Sequence, residues 1–352
     1  MLTLTMWSGC ITFSGDCEGV GEPSSVTFST ALQSKIAMSY AVLFPGQGSQ
    51  FVGMGADLFD ARPDLLIDQA DEVLGWSLRD VCLGGPDEEL TRTEHAQPAL
   101  FVLAFALWDE LAKKLTRPPA AAAGHSLGEY TALAAAGVFD FATALQIVAL
   151  RGRAMAAAAD AEPSSMAALI GATPEIAEEI SVGRRESGGK LWVANLNAPG
   201  QVVVAGGAAD IDWLQTAGRS LGLRRVVPLK VAGAFHSPFM ASAQAALATE
   251  LATASPATPA FPVWSNVAAT PVQPKEIPEL LAGQVVAPVR FSESLEGMAA
   301  TGIQTFVHVG PGDVTAGMAR RTVPDANILT INDLAGIDEA VNTLAGDQEE
   351  GR

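Results

Sequence analysis

Three residue types, far apart in the chain, could combine into one piece of chemistry: a serine in a glycine turn, a histidine and an arginine. The turn is Gly124-His125-Ser126-Leu127-Gly128, between a short apolar run (AAAA, 120–123) and a helical stretch. Gly-x-Ser-x-Gly between strand and helix is a nucleophile elbow. Its glycines are needed because the turn is too tight for a Cβ on either side. The serine then projects at a helix N-terminus, where unpaired N–H groups can receive an oxyanion. A serine is a weak nucleophile and needs an adjacent base. The chain has four histidines: His95, His125, His236 and His308. His125 lies inside the elbow, where alternation of neighbouring side chains turns it away from Ser126. His95 and His308 lack a serine-activating context. His236, in Ala234-Phe235-His236-Ser237-Pro238, sits on a loop at a helix start and is the candidate base. A surface position is the bland reading of Arg151, and it is kept for Arg153.

The elements that must hold these residues follow from hydrophobic patterning. Ser39–Phe44 reads as a buried strand, followed by the glycine-rich loop PGQGSQ (45–50). Ligands of open α/β sheets gather in such loops. Leu58–Leu74 and Ala96–Leu115 read as helices, the second apolar on nearly all faces and therefore buried. Strands alternating with helices argue for a mostly parallel sheet covered on both faces. Between Pro163 and Leu229 the order becomes βαββαβ, a ferredoxin-like pattern. Asn195 and Asn197 fall there in the connection between the two middle strands, as turn-formers. The expected organisation is a catalytic subdomain of residues 38–162 and 231–345, interrupted by a small subdomain of residues 163–230. Residues 1–37 show no sustained period and read as a poorly ordered extension.

Composition excludes several function classes. The net charge of −18 argues against nucleic acid or an anionic membrane as a general partner. No apolar run approaches the roughly 18 residues that span a bilayer. The three cysteines, Cys10, Cys17 and Cys82, have neither metal-ligand nor disulfide-framework spacing. A cytoplasmic monomer without a metal is expected.

Seven segments then occur together and in order: GQGSQ (46–50), GHSLGEY (124–130), RG (151–152), NAPGQ (197–201), AFHS (234–237), QVVAPVRF (284–291) and VGPG (309–312). From Met38 to Asp333 the chain resembles the malonyl-CoA:acyl carrier protein transacylase family, which loads malonyl units for type II fatty acid synthesis. The resemblance implies an α/β-hydrolase-like core with a ferredoxin-like insertion, and no cofactor beyond the substrates malonyl-CoA and holo-acyl carrier protein. It implies Ser126 as nucleophile, His236 as base and Arg151 as the grip on the free malonyl carboxylate. It further implies the backbone N–H groups of Gln47 and Leu127 as the oxyanion hole, and the main-chain carbonyl of Gln284 as the group that orients His236. Gln97, Met155, Asn197 and Phe235 are expected to line the pocket. Phe235 and Leu127 are the malonyl-type choices at their positions. Thr315 departs from the pattern, since the family has an apolar residue there.

An acidic carrier protein calls for a basic docking patch, with candidates at Arg184-Arg185-Lys190, Arg224-Arg225 and Arg320-Arg321. Three rival readings remain: a serine esterase, a non-catalytic binding module, and a polyketide-pathway loader of the same chemistry. The acids between Ser126 and His236 lie mostly in the expected insertion, so none is an obvious third member of an esterase triad.

Overall fold

The structure, a computed structural model, describes residues 39–346. The expected extension at 1–37, with Cys10 and Cys17, lies outside the described residues. In chain order, β1 (Tyr40–Phe44) is followed by α1 (Ala56–Ala61), α2 (Ala70–Leu74), α3 (Asp87–Thr91) and α4 (Thr93–Lys114). Then come β2 (Ala121–Gly124), α5 (Gly128–Ala135) and α6 (Phe141–Ala161). A second group follows: β3 (Ser164–Ile170), α7 (Pro174–Glu186), β4 (Leu191–Ala198), β5 (Gln201–Gly207), α8 (Ala208–Ala217) and β6 (Arg225–Pro228). After it run α9 (Ala241–Leu251), β7 (Val263–Trp264), α10 (Ile277–Gln284), α11 (Phe291–Ala300) and β8 (Thr305–Val309). The last elements are α12 (Val314–Thr322), β9 (Asn327–Ile331) and α13 (Ala335–Gly346).

The first and third groups build a five-stranded sheet in the order β7-β2-β1-β8-β9, with every pairing parallel. Parallel strands are covered on both faces, so the central ones carry continuous apolar runs. Every residue of β1 is buried accordingly. Tyr40, Val42 and Phe44 pack into the core that α4 and α6 close, while Ala41 and Leu43 meet Phe291, Leu295 and Met318 from α11 and α12. The register sets Phe44 opposite Gly124. Loop 45–50 and the serine elbow therefore leave the sheet side by side, at the end where open α/β sheets hold their ligands.

The second group forms a four-stranded antiparallel sheet in the order β4-β5-β3-β6. With α7 and α8 this is the ferredoxin-like insertion. It is tied to the main body by the segment after α10: Val289 N–H donates to Ala194 O and Leu196 N–H donates to Val289 O, both at 2.8 Å.

Two local readings are corrected. The expected helix Leu58–Leu74 breaks after α1. Pro63 has no N–H to donate and pushes the residue before it out of helical geometry; Arg62 has φ −132° and ψ 53°. Asn195 and Asn197 lie within β4, not in the β4–β5 connection. Register shifts at Val193/Asn195 and Leu196/Ala198 mark bulges, which re-aim side chains without ending a strand.

The glycines of the elbow are fixed by close approach rather than by unusual φ. A Cβ on Gly128 would lie 2.3 Å from Phe44 O, and one on Gly124 would lie 1.9 Å from Gly128 O. Gly128→Ala is therefore expected to lower the thermal unfolding midpoint sharply or to prevent folding. Gly317→Ala, in α12 with open space around it, should stabilise by about 0.4–1 kcal/mol in the same melting experiment.

Candidate active site

Ser126 is held at φ 53°, in the left-handed region that a residue with a Cβ avoids. Such strain is about 1–3 kcal/mol and persists only where the surroundings over-determine it. The surroundings here are hydrogen bonds from the neighbouring strand end. Asn266, just after β7, accepts from Ser126 N–H at 2.7 Å through Oδ1 and donates to Gly124 O at 2.7 Å through Nδ2. The loop after β1 presses on the same turn, since a Cβ on Gly46 would lie 2.3 Å from His125 O. That contact brings Gln47 to the serine's side of the cleft. Among the described residues the N–H groups of Gln47 and Leu127 have no acceptor.

His236 is also left-handed, at φ 57°, just before the single turn Pro238–Met240. Its Nε2 lies 2.8 Å from Ser126 Oγ, and its Nδ1 lies 2.8 Å from the main-chain oxygen of Gln284. A carbonyl only accepts, so Nδ1 carries the proton and Nε2 presents a lone pair to the serine hydroxyl. Burial, aided by the Arg151 guanidinium, pushes the His236 pKa down to about 3. His125 is turned elsewhere, donating from Nε2 to Asn197 Oδ1 at 2.7 Å.

Arg151 is 1 % exposed, against the bland reading of a surface arginine. It donates to Gln97 Oε1 at 2.6 Å, to Ser126 Oγ at 3.0 Å and to Gln284 Oε1 at 2.9 Å. Its carbon centre sits 5.3 Å from the centroid of the Tyr130 ring. No carboxylate pairs with it among the described residues, and its Nε has no partner there. Burying a cation in this way is costly unless another anion arrives.

These groups open into a cleft of about 480 Å³ between the two sheets. Gln47, Gln97, His125, Ser126, Met155 and Phe235 line it from the main body, and Met166, Asn195, Asn197 and Val203 from the insertion. A larger depression, about 1120 Å³, runs along α7 and Trp213 and contains none of the reactive groups. The structure thus brings together Ser126, His236, Arg151, Gln284, Gln97, Met155, Phe235, Asn197 and Gln47. The sequence reading missed Asn266 and Glu129. Glu129 is 1 % exposed in the first turn of α5, and its Oε2 accepts from Gln284 Nε2 at 2.6 Å and from Asn266 N–H at 3.1 Å. A carboxylate inside the small apolar run GEYTALAAAG was the available signal for it. Nothing local marks Asn266, which acts on backbone more than a hundred residues away.

Among the described residues no cluster of three His, Cys, Asp or Glu side chains could hold a metal ion. No helix among them is long and apolar enough to cross a membrane.

The geometry has close counterparts. The family model described as an acyl transferase domain matches residues 41–343. The malonyl CoA-acyl carrier protein transacylase of Bacillus subtilis strain 168 is 38% identical over 307 residues, covering 86% of this chain and 96% of the relative. A polyketide biosynthesis malonyl CoA-acyl carrier protein transacylase, BaeC of Bacillus velezensis, is 40% identical over 283 residues, covering 79% of this chain and 95% of the relative. A malonyl-transacylase solved in complex with its type II PKS acyl-carrier protein superposes with a TM-score of 0.82 at 35% identity, covering 87% of this chain and 99% of that one. With a domain match over nearly all the described residues and relatives of this identity along their whole length, the chain belongs to the acyl transferase family, among its malonyl-CoA–acyl carrier protein transacylases.

Proposed function

We propose that this chain moves a malonyl group from malonyl-CoA to the phosphopantetheine thiol of an acyl carrier protein, through a malonyl ester on Ser126. The observation that carries the reading is the buried guanidinium of Arg151, hydrogen-bonded to Ser126 Oγ and lacking a carboxylate partner among the described residues. A planar malonyl carboxylate supplies that partner and can take two parallel hydrogen bonds, a geometry lysine could not offer. An acetyl group would leave the cation unpaired, so the same residue selects the substrate.

The steps follow from the hydrogen bonds. His236 Nε2 takes the hydroxyl proton as Ser126 Oγ attacks the thioester carbonyl. The tetrahedral oxyanion is received by the N–H groups of Gln47 and Leu127, each such donor lowering the barrier by about 3 kcal/mol. Collapse expels the CoA thiolate, which leaves with the proton from His236. In the second half the carrier-protein thiol gives its proton to His236 and attacks the ester, and Ser126 recovers the proton as it departs. The Gln284 carbonyl holds the imidazole in the required tautomer throughout, where an esterase would use a carboxylate. All the groups required come from the chain itself. A cytoplasmic location belongs to the same reading and fits Cys82, a buried free thiol.

Charge pairing narrows the docking surface. Arg184, Arg185 and Lys190 are already paired, with Asp210, Glu178 and Glu162. Lys230 lines the cleft, and Arg321 donates at 2.5 Å to Gln201, another residue that lines it. Neither these two nor Arg320 forms an ion pair among the described residues; Arg224 and Arg225 form none either, but they do not line the cleft. We assign the rim of Lys230, Arg320 and Arg321 to the acidic carrier protein. The similarity to BaeC keeps a polyketide carrier beside a fatty-acid one, and transfer of labelled malonyl to both separates them.

Intact-mass spectrometry after incubation with malonyl-CoA should show a malonyl adduct that Ser126→Ala abolishes. Arg151→Ala should lower kcat/KM for malonyl-CoA by at least about 100-fold while acetyl transfer rises relative to it. An unchanged malonyl preference would refute the assignment. Burial, the larger cause of the His236 shift, remains when substrate binds, so the imidazole stays neutral well below pH 6. The single-turnover acylation rate at saturating malonyl-CoA should therefore stay level from about pH 8 down to about pH 5, and fall only as the pH nears the depressed pKa. Charge reversal at Arg320 and Arg321 should raise KM for the carrier protein severalfold and leave KM for malonyl-CoA unchanged.

A further inference from the structure

Glu129 is a buried carboxylate that the transfer steps do not use. It does not touch Arg151. The side-chain amide of Gln284 stands between them, its Oε1 accepting from Arg151 at 2.9 Å and its Nε2 donating to Glu129 Oε2 at 2.6 Å. The same Nε2 lies 2.9 Å from Ser126 O. One amide thus joins a buried cation and a buried anion, and its main-chain oxygen holds the base. In the empty site the two charges balance through that amide. A malonyl carboxylate on Arg151 changes the count to two anions and one cation in a place closed to water. An unbalanced buried charge is expensive, and a titratable group in that position neutralises instead.

We infer that Glu129 is the charge-balancing residue of the site, taking up one proton from solvent when a malonyl carboxylate comes to rest on Arg151. The proton adds to the Glu129 carboxylate, the malonyl carboxylate stays ionised, and no other bond forms or breaks. Loss of the proton accompanies departure of the malonyl group. Glu129 acts through Gln284 and Arg151 and touches no reacting atom, so it is a positioning residue. The inference rests on the reading that Arg151 grips the malonyl carboxylate.

The electrostatics agree with the geometry. Burial raises the Glu129 pKa to about 7, against the lowering effect of Gln284, Asn266 and Arg151. The free carboxyl is therefore poised to change state near neutrality. The other titratable or charged groups facing this cluster are Arg151 from α6, Tyr130 beside Glu129 on α5, and the two imidazoles across the cleft. Burial pushes the Tyr130 hydroxyl up to about 12 and His236 down to about 3, and it lowers His125 as well. None of these titrates between pH 7 and pH 9. Arg151 stays charged there, since a guanidinium does not give up its proton in a protein.

The test uses Ser126→Ala, which binds substrate without transfer, and calorimetric titration in two buffers of different ionisation enthalpy. Binding of malonyl-CoA at about pH 8 should take up close to one proton, and at about pH 6 much less, because Glu129 is then already protonated. Linkage requires malonyl-CoA affinity to fall by up to tenfold per pH unit above pH 7. Acetyl-CoA, which carries the same phosphates but no free carboxylate, should show neither effect. Adding Glu129→Gln should remove the uptake and flatten the pH dependence. Saturable malonyl-CoA binding without proton uptake, or uptake that survives Glu129→Gln, overturns the inference. Should the double variant fail to fold, the slope measured on Ser126→Ala against the acetyl-CoA control decides alone, and a flat slope overturns it. Equal affinity for malonyl-CoA and acetyl-CoA would instead defeat the Arg151 assignment, and the inference would fall with it.

Discussion

A guanidinium taken out of water without a carboxylate opposite it is the interaction on which the centre of this molecule depends. Arg151 reaches Ser126 from the middle of a helix and is met by amide oxygens, a hydroxyl and the face of a tyrosine. Each of these eases the loss of hydration, and none cancels the charge. The arrangement leaves the guanidinium without a carboxylate in direct contact, the nearest one standing beyond the Gln284 amide, and it also sets the state of its neighbours. The nearby imidazole is kept neutral by burial and by that positive field together. In the proposed transfer, substrate selection and base strength thus have a common origin.

Steric approach supplies the second constraint. Three glycines let loop 45–50, the β2 end and the start of α5 touch backbone to backbone. Two non-glycine residues in the left-handed region, Ser126 and His236, face one another across that contact. A third residue in that region, Ala269, lies three positions beyond the clamp Asn266. Strained backbone that coincides with reactive side chains, and is pinned from a neighbouring strand, is the pattern of a preorganised site.

What could be read from the sequence divides along the distance over which each residue acts. The elbow is local, and its glycines, serine and following helix were all legible within eleven residues. His236 could be reached by elimination among four histidines. Arg151 could not: its helix looks like any amphipathic helix, and its partners Gln97 and Gln284 lie 54 and 133 residues away. Its role, and that of the Gln284 carbonyl, came from the resemblance alone. Glu129, inside a quoted motif, and Asn266, near none, were both passed over, because the hydrogen bonds that tie Asn266 to Glu129 and to the elbow close across 137 residues or more. The asparagines of β4 were misplaced for a different reason. A bulge has no sequence signature that separates it from a turn, and here it keeps Asn197 in the strand while aiming it at His125. The alternation of strands and helices, in contrast, was enough for both sheets, since apolar runs and periodicity carry that information directly.

The short segment from Gln284 to Val289 does two jobs within six residues. Its first carbonyl steadies the imidazole, and its last residue is stitched into β4 of the insertion by two backbone hydrogen bonds. Any tilt of the insertion that widens the mouth for a long thiol arm must drag on that stitch and so disturb the imidazole's alignment.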